Sequence, residues 1–312
     1  MKASKISLNN LSIKNNVFLA PIAGYTDYAI RKLQLECGAG LVFTELVSAK
    51  GLIYKSAGTN ELLYSGSDIE STAAQIFGSD AYYMRSACES EELAPFKIID
   101  INMGCPVPKV YKNGEGSALL NNLRKAELII KSCVKSGKTI TVKTRIGLKK
   151  GDDFAEEFAK MAENAGASML TIHGRVREDY YSGEPNYDAI YKAKKAVSIP
   201  IIANGGIFTE QDANIMLDRT GADGVMLARG ALSDPFLVSK LTQTTNQKTL
   251  KSYIIDHILY MRERKPDKKV AIEFRKFVPY YFKGVAGIKD LKLKIYQTET
   301  TDEIIELIEK NL

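Results

Sequence analysis

Two patterns alternate along this chain. Short β-rich runs recur through its first three quarters: VFLAP (17–21), LVFTEL (41–46), TAAQIFG (72–78), IIDINMG (98–104), TITVKTRIG (139–147), MLTIHGR (169–175), PIIANGG (200–206) and GVMLARGA (224–231). Between most of them lie amphipathic stretches such as KAELIIKSCVKSG and DDFAEEFAKMAENAG, the second closing on Gly166 as a helix stop. Successive runs begin 24 to 41 residues apart, the spacing of parallel βα units. Eight such units predict an α/β fold, a closed (β/α)8 TIM barrel, with Val, Ile and Leu packed in layers inside it.

Beyond about residue 240 the pattern changes. KTLKSYIIDHILYMRER, KKVAIEFRKFVPYYFKGV and TDEIIELIEKNL read as helices without strands between them, the last with an N-cap and acidic first turn in Thr301-Asp302-Glu303. The expected organisation is a barrel over 1–240 and a small all-helical C-terminal domain over 241–312.

Each β run ends in residues unsuited to a core: Pro21-Ile22-Ala23-Gly24, Glu45, Gln75, Asn102, Lys143 with Arg145, His173 with Arg175, Asn204-Gly205-Gly206, and Arg229-Gly230. In barrels of this kind the C-terminal strand ends carry the active site. One polar strand end is an ordinary capped loop; convergence of this many points to a site.

Asn204-Gly205-Gly206 and Arg229-Gly230 follow the last two strands, where barrels bind phosphate: glycine admits backbone N–H groups and arginine supplies a forked donor. A Gly-Gly pair alone reads equally as a turn. Lys143 and Arg145 point to one side of their strand, Lys143 toward the mouth, where an unpaired ammonium is costly to bury. Beside a flavin it would stabilise charge on the pyrimidine edge of the reduced ring, about 4 kcal/mol at about 4 Å in an effective dielectric near 20. Gln75 offers a donor and an acceptor to the same edge. His173 reads as a ligand to flavin or substrate, or as a satisfied core histidine.

Cys105 stands between Gly104 and Pro106. Proline ends the strand ladder and glycine permits a sharp turn, so the thiol is expected over the barrel mouth. As a nucleophile it would need a thiolate made by a neighbouring base, and no histidine adjoins it in sequence. As an acid it needs only the neutral thiol, the dominant form near pH 7 for an ordinary pKa of about 8.5. The residue reads as a proton donor, against a packing thiol as the bland alternative.

Composition narrows the setting. The 312 residues are 45% hydrophobic and 26% charged, ordinary for a globular enzyme. No apolar run approaches the roughly 18 residues of a membrane span, and the N-terminal stretch lacks the apolar segment of a secretory signal; a cytoplasmic location is expected. Four scattered cysteines and two histidines disfavour a metal site or a disulfide framework. Net charge is +6, and Arg262 to Lys294 holds eleven Lys/Arg against four Asp/Glu. Such a surplus suits a polyanionic partner or a solvated helix face.

Taken in order, APIAGYTD (20–27), DINMGCPVPKV (100–110), GEGSALL (114–120), VKTRIG (142–147), TIHGR (171–175), IIANGGI (201–207), GVMLARGAL (224–232) and KFVPYYFKGVAG (276–287) resemble the motifs of the bacterial tRNA-dihydrouridine synthases. The resemblance spans nearly the entire chain. It implies an FMN-dependent oxidoreductase that draws electrons from NADPH and reduces the C5=C6 bond of a D-arm uridine in tRNA, with the helical tail binding the tRNA. It carries flavin contacts onto Pro21, Ile22, Ala23, Gln75, Lys143, His173, Asn204, Gly205, Gly206, Ala228 and Arg229, the catalytic acid onto Cys105, and substrate contacts onto Asn102, Arg145 and Arg175. Ile22 departs from the usual methionine, a near volume-conserving change, and Ala228 from the usual glycine, which places a methyl near the phosphate. Lys109 and Lys112 read as RNA contacts or as solvated loop lysines. Two rivals are a flavin reductase of free pyrimidines, which needs no basic tail, and a non-catalytic RNA-binding protein, which needs no Lys143, Gln75 and Cys105. Neither oligomeric state nor the identity of the uridine is legible.

Overall fold

The computed structural model describes residues 3–56, 58–285 and 287–312. Met1, Lys2, Ala57 and Ala286, the last within the 276–287 motif, lie outside them. Among the described residues there are eleven strands: β1 Ile6–Leu8, β2 Leu11–Ile13, β3 Val17–Leu19, β4 Leu41–Phe43, β5 Val47–Ser48, β6 Thr72–Phe77, β7 Ile98–Met103, β8 Thr139–Arg145, β9 Met169–His173, β10 Ile201–Asn204 and β11 Gly224–Leu227. Strands β3, β4 and β6–β11 fall inside the eight predicted runs. They pair in parallel in chain order, and β11 returns to β3 (Met226 opposite Phe18), so the barrel closes.

Every other strand residue faces the lumen, which is graded from bottom to top. Phe18, Leu41, Phe43, Ile98, Met169, Ile202 and Met226 form a closed apolar cluster at the base. Two residues further along the same strands stand Ala20, Asp100, Thr171, Asn204 and Ala228, and beyond them Asn102 and His173; Thr141 leads likewise to Lys143 and Arg145. The expected filling of the lumen by Val, Ile and Leu is therefore only partly met. Val17, Leu19, Val42, Ile99, Ile101, Val142, Leu170, Ile172, Val225 and Leu227 instead pack outward under the helices. The lumen's top half is polar because the strands end in a site.

Three strands were not predicted. The β1–β2 hairpin turns at Asn9, in left-handed conformation (φ 51°), and its Ile6, Leu8 and Ile13 join the basal cluster, stoppering the barrel. The short β5 extends the sheet beside β6.

The C-terminal helices run Leu250–Arg262, Asp267–Phe274, Val278–Tyr281, Lys289–Gln297 and Thr301–Asn311. The last is capped by Thr300, one residue before the expected position, its hydroxyl accepting from the amide of Glu303. The Lys289–Gln297 helix was not predicted. The tail docks on the Tyr28–Glu36 helix: Gln34 Nε2 donates to Tyr253 Oη at 2.8 Å, and Lys265 Nζ to Asp27 Oδ2 at 2.9 Å. His257 is buried in the tail, 2.8 Å from Tyr281 Oη. Among the described residues no helix is long and apolar enough to cross a membrane.

Candidate active site

A cavity of about 400 Å³ opens at the C-terminal ends of the strands. Fourteen of the fifteen expected site residues line it: Pro21, Ile22, Ala23, Asn102, Cys105, Lys143, Arg145, His173, Arg175, Asn204, Gly205, Gly206, Ala228 and Arg229. Gln75 is the exception.

Gln75 is fully buried at the floor, its amide already engaged. Its Nε2 donates to Asp100 Oδ2 at 2.7 Å, and its Oε1 accepts from Asn102 Nδ2 at 2.8 Å. Asn102 Oδ1 in turn accepts the backbone amides of Gly104 (3.2 Å) and Cys105 (2.9 Å), while Thr141 Oγ1 donates to Asp100 Oδ1 at 2.6 Å. A carboxylate accepts only, so Asp100 sets the orientation of the Gln75 amide, which sets Asn102, which holds the turn bearing the thiol. Burial pushes the Asp100 carboxyl up to about 6, opposed by the Thr141 and Gln75 hydrogen bonds and by the Lys143 charge.

Gly104 serves that turn differently from the expectation. It does not adopt positive φ; a Cβ there would lie 3.1 Å from the Thr144 carbonyl carbon, so its role is close approach to the neighbouring strand. Gly116 (φ 59°) presses from behind, where a Cβ would come 2.9 Å from Cys105 Cβ. Ser117 Oγ donates to the Cys105 carbonyl at 2.8 Å. These two residues lie in the GEGSALL motif, yet no local pattern ties them to the thiol. Burial raises the pKa of Cys105, only partly offset by a Val107 amide and the charges of Arg145 and Lys143. The thiol is held neutral, the form of an acid.

Lys143 is half-buried, and its hydrogen-bond acceptor among the described residues is Asn204 Oδ1 at 3.2 Å. Desolvation, reinforced by Arg145, pushes its ammonium down to about 8 against the attraction of Asp100. Asn204 is fixed by its Nδ2 donating to the Met226 carbonyl at 2.8 Å.

Arg145 and Arg175 both line the cavity, and each also holds backbone around it. Arg145 Nε donates to the Gly104 carbonyl (2.9 Å) and Nη1 to the carbonyls of Val176 (3.0 Å) and Tyr180 (2.9 Å). It clamps the thiol's turn to the loop after β9 while still lining the cavity. Arg175 lies at the opposite end, where a Cβ on Gly205 would meet its Nη1 at 3.2 Å. Its Nε and Nη2 donate to the Gly183 carbonyl, and Nη1 lies 3.2 Å from His173 Nε2. With Arg229 nearby and Gly205 (φ 117°) and Gly206 (φ 72°) in conformations that suit glycine, this end is built for an anion. Burial and four surrounding cations drive the His173 pKa well below its ordinary value, so the imidazole is neutral.

Two further lining residues lay outside the strand-end pattern. Tyr280 comes from the tail, edge-on to Tyr25 with ring centroids 5.6 Å apart. Tyr181 stacks near His173 and lies under the guanidinium of Arg229, 4.8 Å from its ring centroid. Both arrive through tertiary folding.

The family model described as "Dihydrouridine synthase (Dus)" matches residues 18–312. The chain belongs to the dihydrouridine synthase family. It is 36% identical over 290 residues to tRNA-dihydrouridine synthase B of Pasteurella multocida, covering 89% of this chain and 87% of that one. It is 39% identical over 238 residues to a probable tRNA-dihydrouridine synthase of Rickettsia prowazekii, covering 76% and 73%. Among solved structures, histamine dehydrogenase from a Rhizobium species superposes with a TM-score of 0.61 at 15% identity, over 82% of this chain and 50% of that chain; this likeness is one of fold. The chain is thus an enzyme of tRNA modification, a tRNA-dihydrouridine synthase.

Proposed function

We propose that this enzyme binds FMN in the strand-end cavity and, with NADPH as electron donor, reduces the C5=C6 bond of a D-arm uridine in tRNA. The supporting observation is one cavity holding a neutral thiol, a desolvated ammonium that meets no carboxylate among the described residues, and a two-arginine, two-glycine anion end. These residues fit a flavin mononucleotide: Gly205, Gly206, Arg229 and Arg175 would take its phosphate, and Lys143 and Asn204 its polar ring edge. Pro21, Ile22, Ala23, His173 and Ala228 would complete the enclosure, with Gln75 acting from beneath through Asn102. The flavin, when bound and reduced, supplies the hydride that uracil C6 receives.

The remaining chemistry belongs to the chain. Cys105 gives its proton to C5, which balances the hydride and completes the saturation of the bond; such acid help contributes about 10²–10⁴-fold. Lys143 offsets negative charge on the cavity's polar side. Asn102 and Arg145 hold the thiol's turn and face the substrate base. The uridine must leave its stack to enter, and the helical tail, residues 241–312, holds the tRNA by backbone and shape while the barrel acts.

The test is mass mapping of dihydrouridine in tRNA from cells lacking this enzyme, before and after incubation with purified protein and NADPH. Appearance of dihydrouridine at D-arm positions supports the reading. A flavin-free protein, or reduction of free uridine as fast as of tRNA, overturns it.

A further inference from the structure

Beside the thiol's turn, on the same barrel rim, three tyrosines stand together. Tyr54 and Tyr82 are 66% and 73% exposed, among the most exposed large side chains in the molecule. Tyr83 joins them: its hydroxyl lies 2.8 Å from that of Tyr54, its ring is edge-on to Tyr82 at 5.5 Å, and its centroid is 5.9 Å from that of Tyr54. Lys50 Nζ stands 5.1 Å from the Tyr83 centroid.

Topology fixes where this cluster faces. The Ala49–Ile53 helix leaves β5, the Ala81–Cys88 helix leaves β6, and the Pro108–Lys112 helix follows Cys105, so each begins at the strand ends that carry the cavity. Ser79 Oγ donates to the Asn113 carbonyl at 3.3 Å, tying the segment that leads into the tyrosine helix to the Cys105 loop. That loop exposes Lys109 and Lys112. Of the carboxylates nearby, Asp80 is turned inward onto the amides of Tyr82 (2.9 Å) and Tyr83 (3.2 Å), and Glu115 feels the charge of Lys50.

We propose that Tyr54, Tyr82 and Tyr83, with Lys50, Lys109 and Lys112, form a stacking platform on the barrel for unpaired nucleotides flanking the target uridine. This rests on the tRNA reading above. The hydroxyl contact and the Asp80 cap hold the rings in place, so little side-chain freedom is lost on binding. Rigid aromatic faces interleaved with lysines match planar unstacked bases joined by phosphates. A protein partner is the poorer fit, because lysines are depleted at the centres of protein–protein interfaces and three exposed ones flank these rings. The platform gives the barrel its own hold on the RNA, independent of the tail.

The test compares Tyr82→Ala and Tyr82→Phe with the parent, each flavin-loaded. Two quantities are measured: the Kd for labelled tRNA from cells lacking dihydrouridine, and dihydrouridine formed by mass spectrometry. We expect Tyr82→Ala to raise Kd and KM about fivefold or more, the weight of one lost base stack, with kcat and flavin content unchanged, and Tyr82→Phe to behave as the parent. Unchanged Kd in Tyr82→Ala, while the parent makes dihydrouridine, overturns the platform and leaves the function standing. A raised Kd in that variant, with a parent that binds tRNA but forms no dihydrouridine, overturns the function and keeps the platform. A parent dimer that Tyr82→Ala dissociates would make a second copy the occupant and also overturn the platform.

Discussion

Replacing Asn102 by Asp tests the relay under the thiol. Size and shape are kept, and one oxygen of the new carboxylate can still accept the amides of Gly104 and Cys105. The other replaces the Nδ2 that now donates to Gln75 Oε1 at 2.8 Å. Turning the Gln75 amide over does not help, because its Nε2 would then abandon Asp100 Oδ2, which it meets at 2.7 Å. One amide donor is left between two acceptors. A buried group deprived of its partner costs about 1–3 kcal/mol, and more when charged. Asp100 sets the scale: with donors on both oxygens it is still pushed up to about 6 from 3.8, about 3 kcal/mol against its charged form. Asn102→Asp should therefore destabilise the protein by about 3 kcal/mol at alkaline pH, lowering Tm by about 6–12 °C. The sign of the pH dependence follows. The new carboxyl's folded pKa lies above its unfolded value, so the native state takes up the proton first as pH falls, and the protonated oxygen then donates to Gln75 as the amide did. The deficit is full well above about pH 6 and shrinks below it. Thermal unfolding of parent and variant from about pH 5.5 to about pH 8.5 reads this directly. An offset that stays constant, or widens on acidification, refutes the order of donors and acceptors in the relay.

Cys105→Ala should retain bound flavin and tRNA affinity while kcat falls about 10²–10⁴-fold; turnover at the parental rate would remove the thiol from the acid role. Lys143→Met should stabilise the flavin-free protein by up to about 3 kcal/mol at pH 7 while weakening flavin binding. Here the folded pKa of about 8 lies below the ordinary 10.5, so the parent's burial cost is complete below pH 8 and fades as pH rises toward 10.5, and the two melting curves should converge over that interval. Arg275→Ala should cost about 1–3 kcal/mol of stability, because Nη2 donates to the Thr298 carbonyl at 2.8 Å inside the tail. Its loss of tRNA affinity should be nearly independent of salt, whereas a phosphate contact would reduce the salt slope.

The fold was legible because eight β-rich runs recur at βα spacing, and the site because those runs end in polar residues that a core would exclude. Period-two alternation along the strand already placed Lys143 and Arg145 on one face, as observed. The β1–β2 hairpin was missed although Asn9-Asn10 sits between two alternating triplets, since three-residue strands give too short a period to register. Other features depend on contacts between distant segments. Gln75 faces a carboxylate 25 residues away, so its amide is committed before any cofactor arrives. Arg175 swings to the glycine turn because the following loop folds back, the Asn186 amide reaching the Gly174 carbonyl at 2.6 Å. Tyr280 enters from a helix whose sequence says only that it is amphipathic.

That last residue bears on how the enzyme could be re-engineered. Because a tail side chain finishes the wall of the barrel's pocket against Tyr25, the two halves are not interchangeable modules. Grafting a relative's tail would also rebuild part of the chemical chamber, so any chimera has to carry the Tyr25–Tyr280 seam as a matched pair.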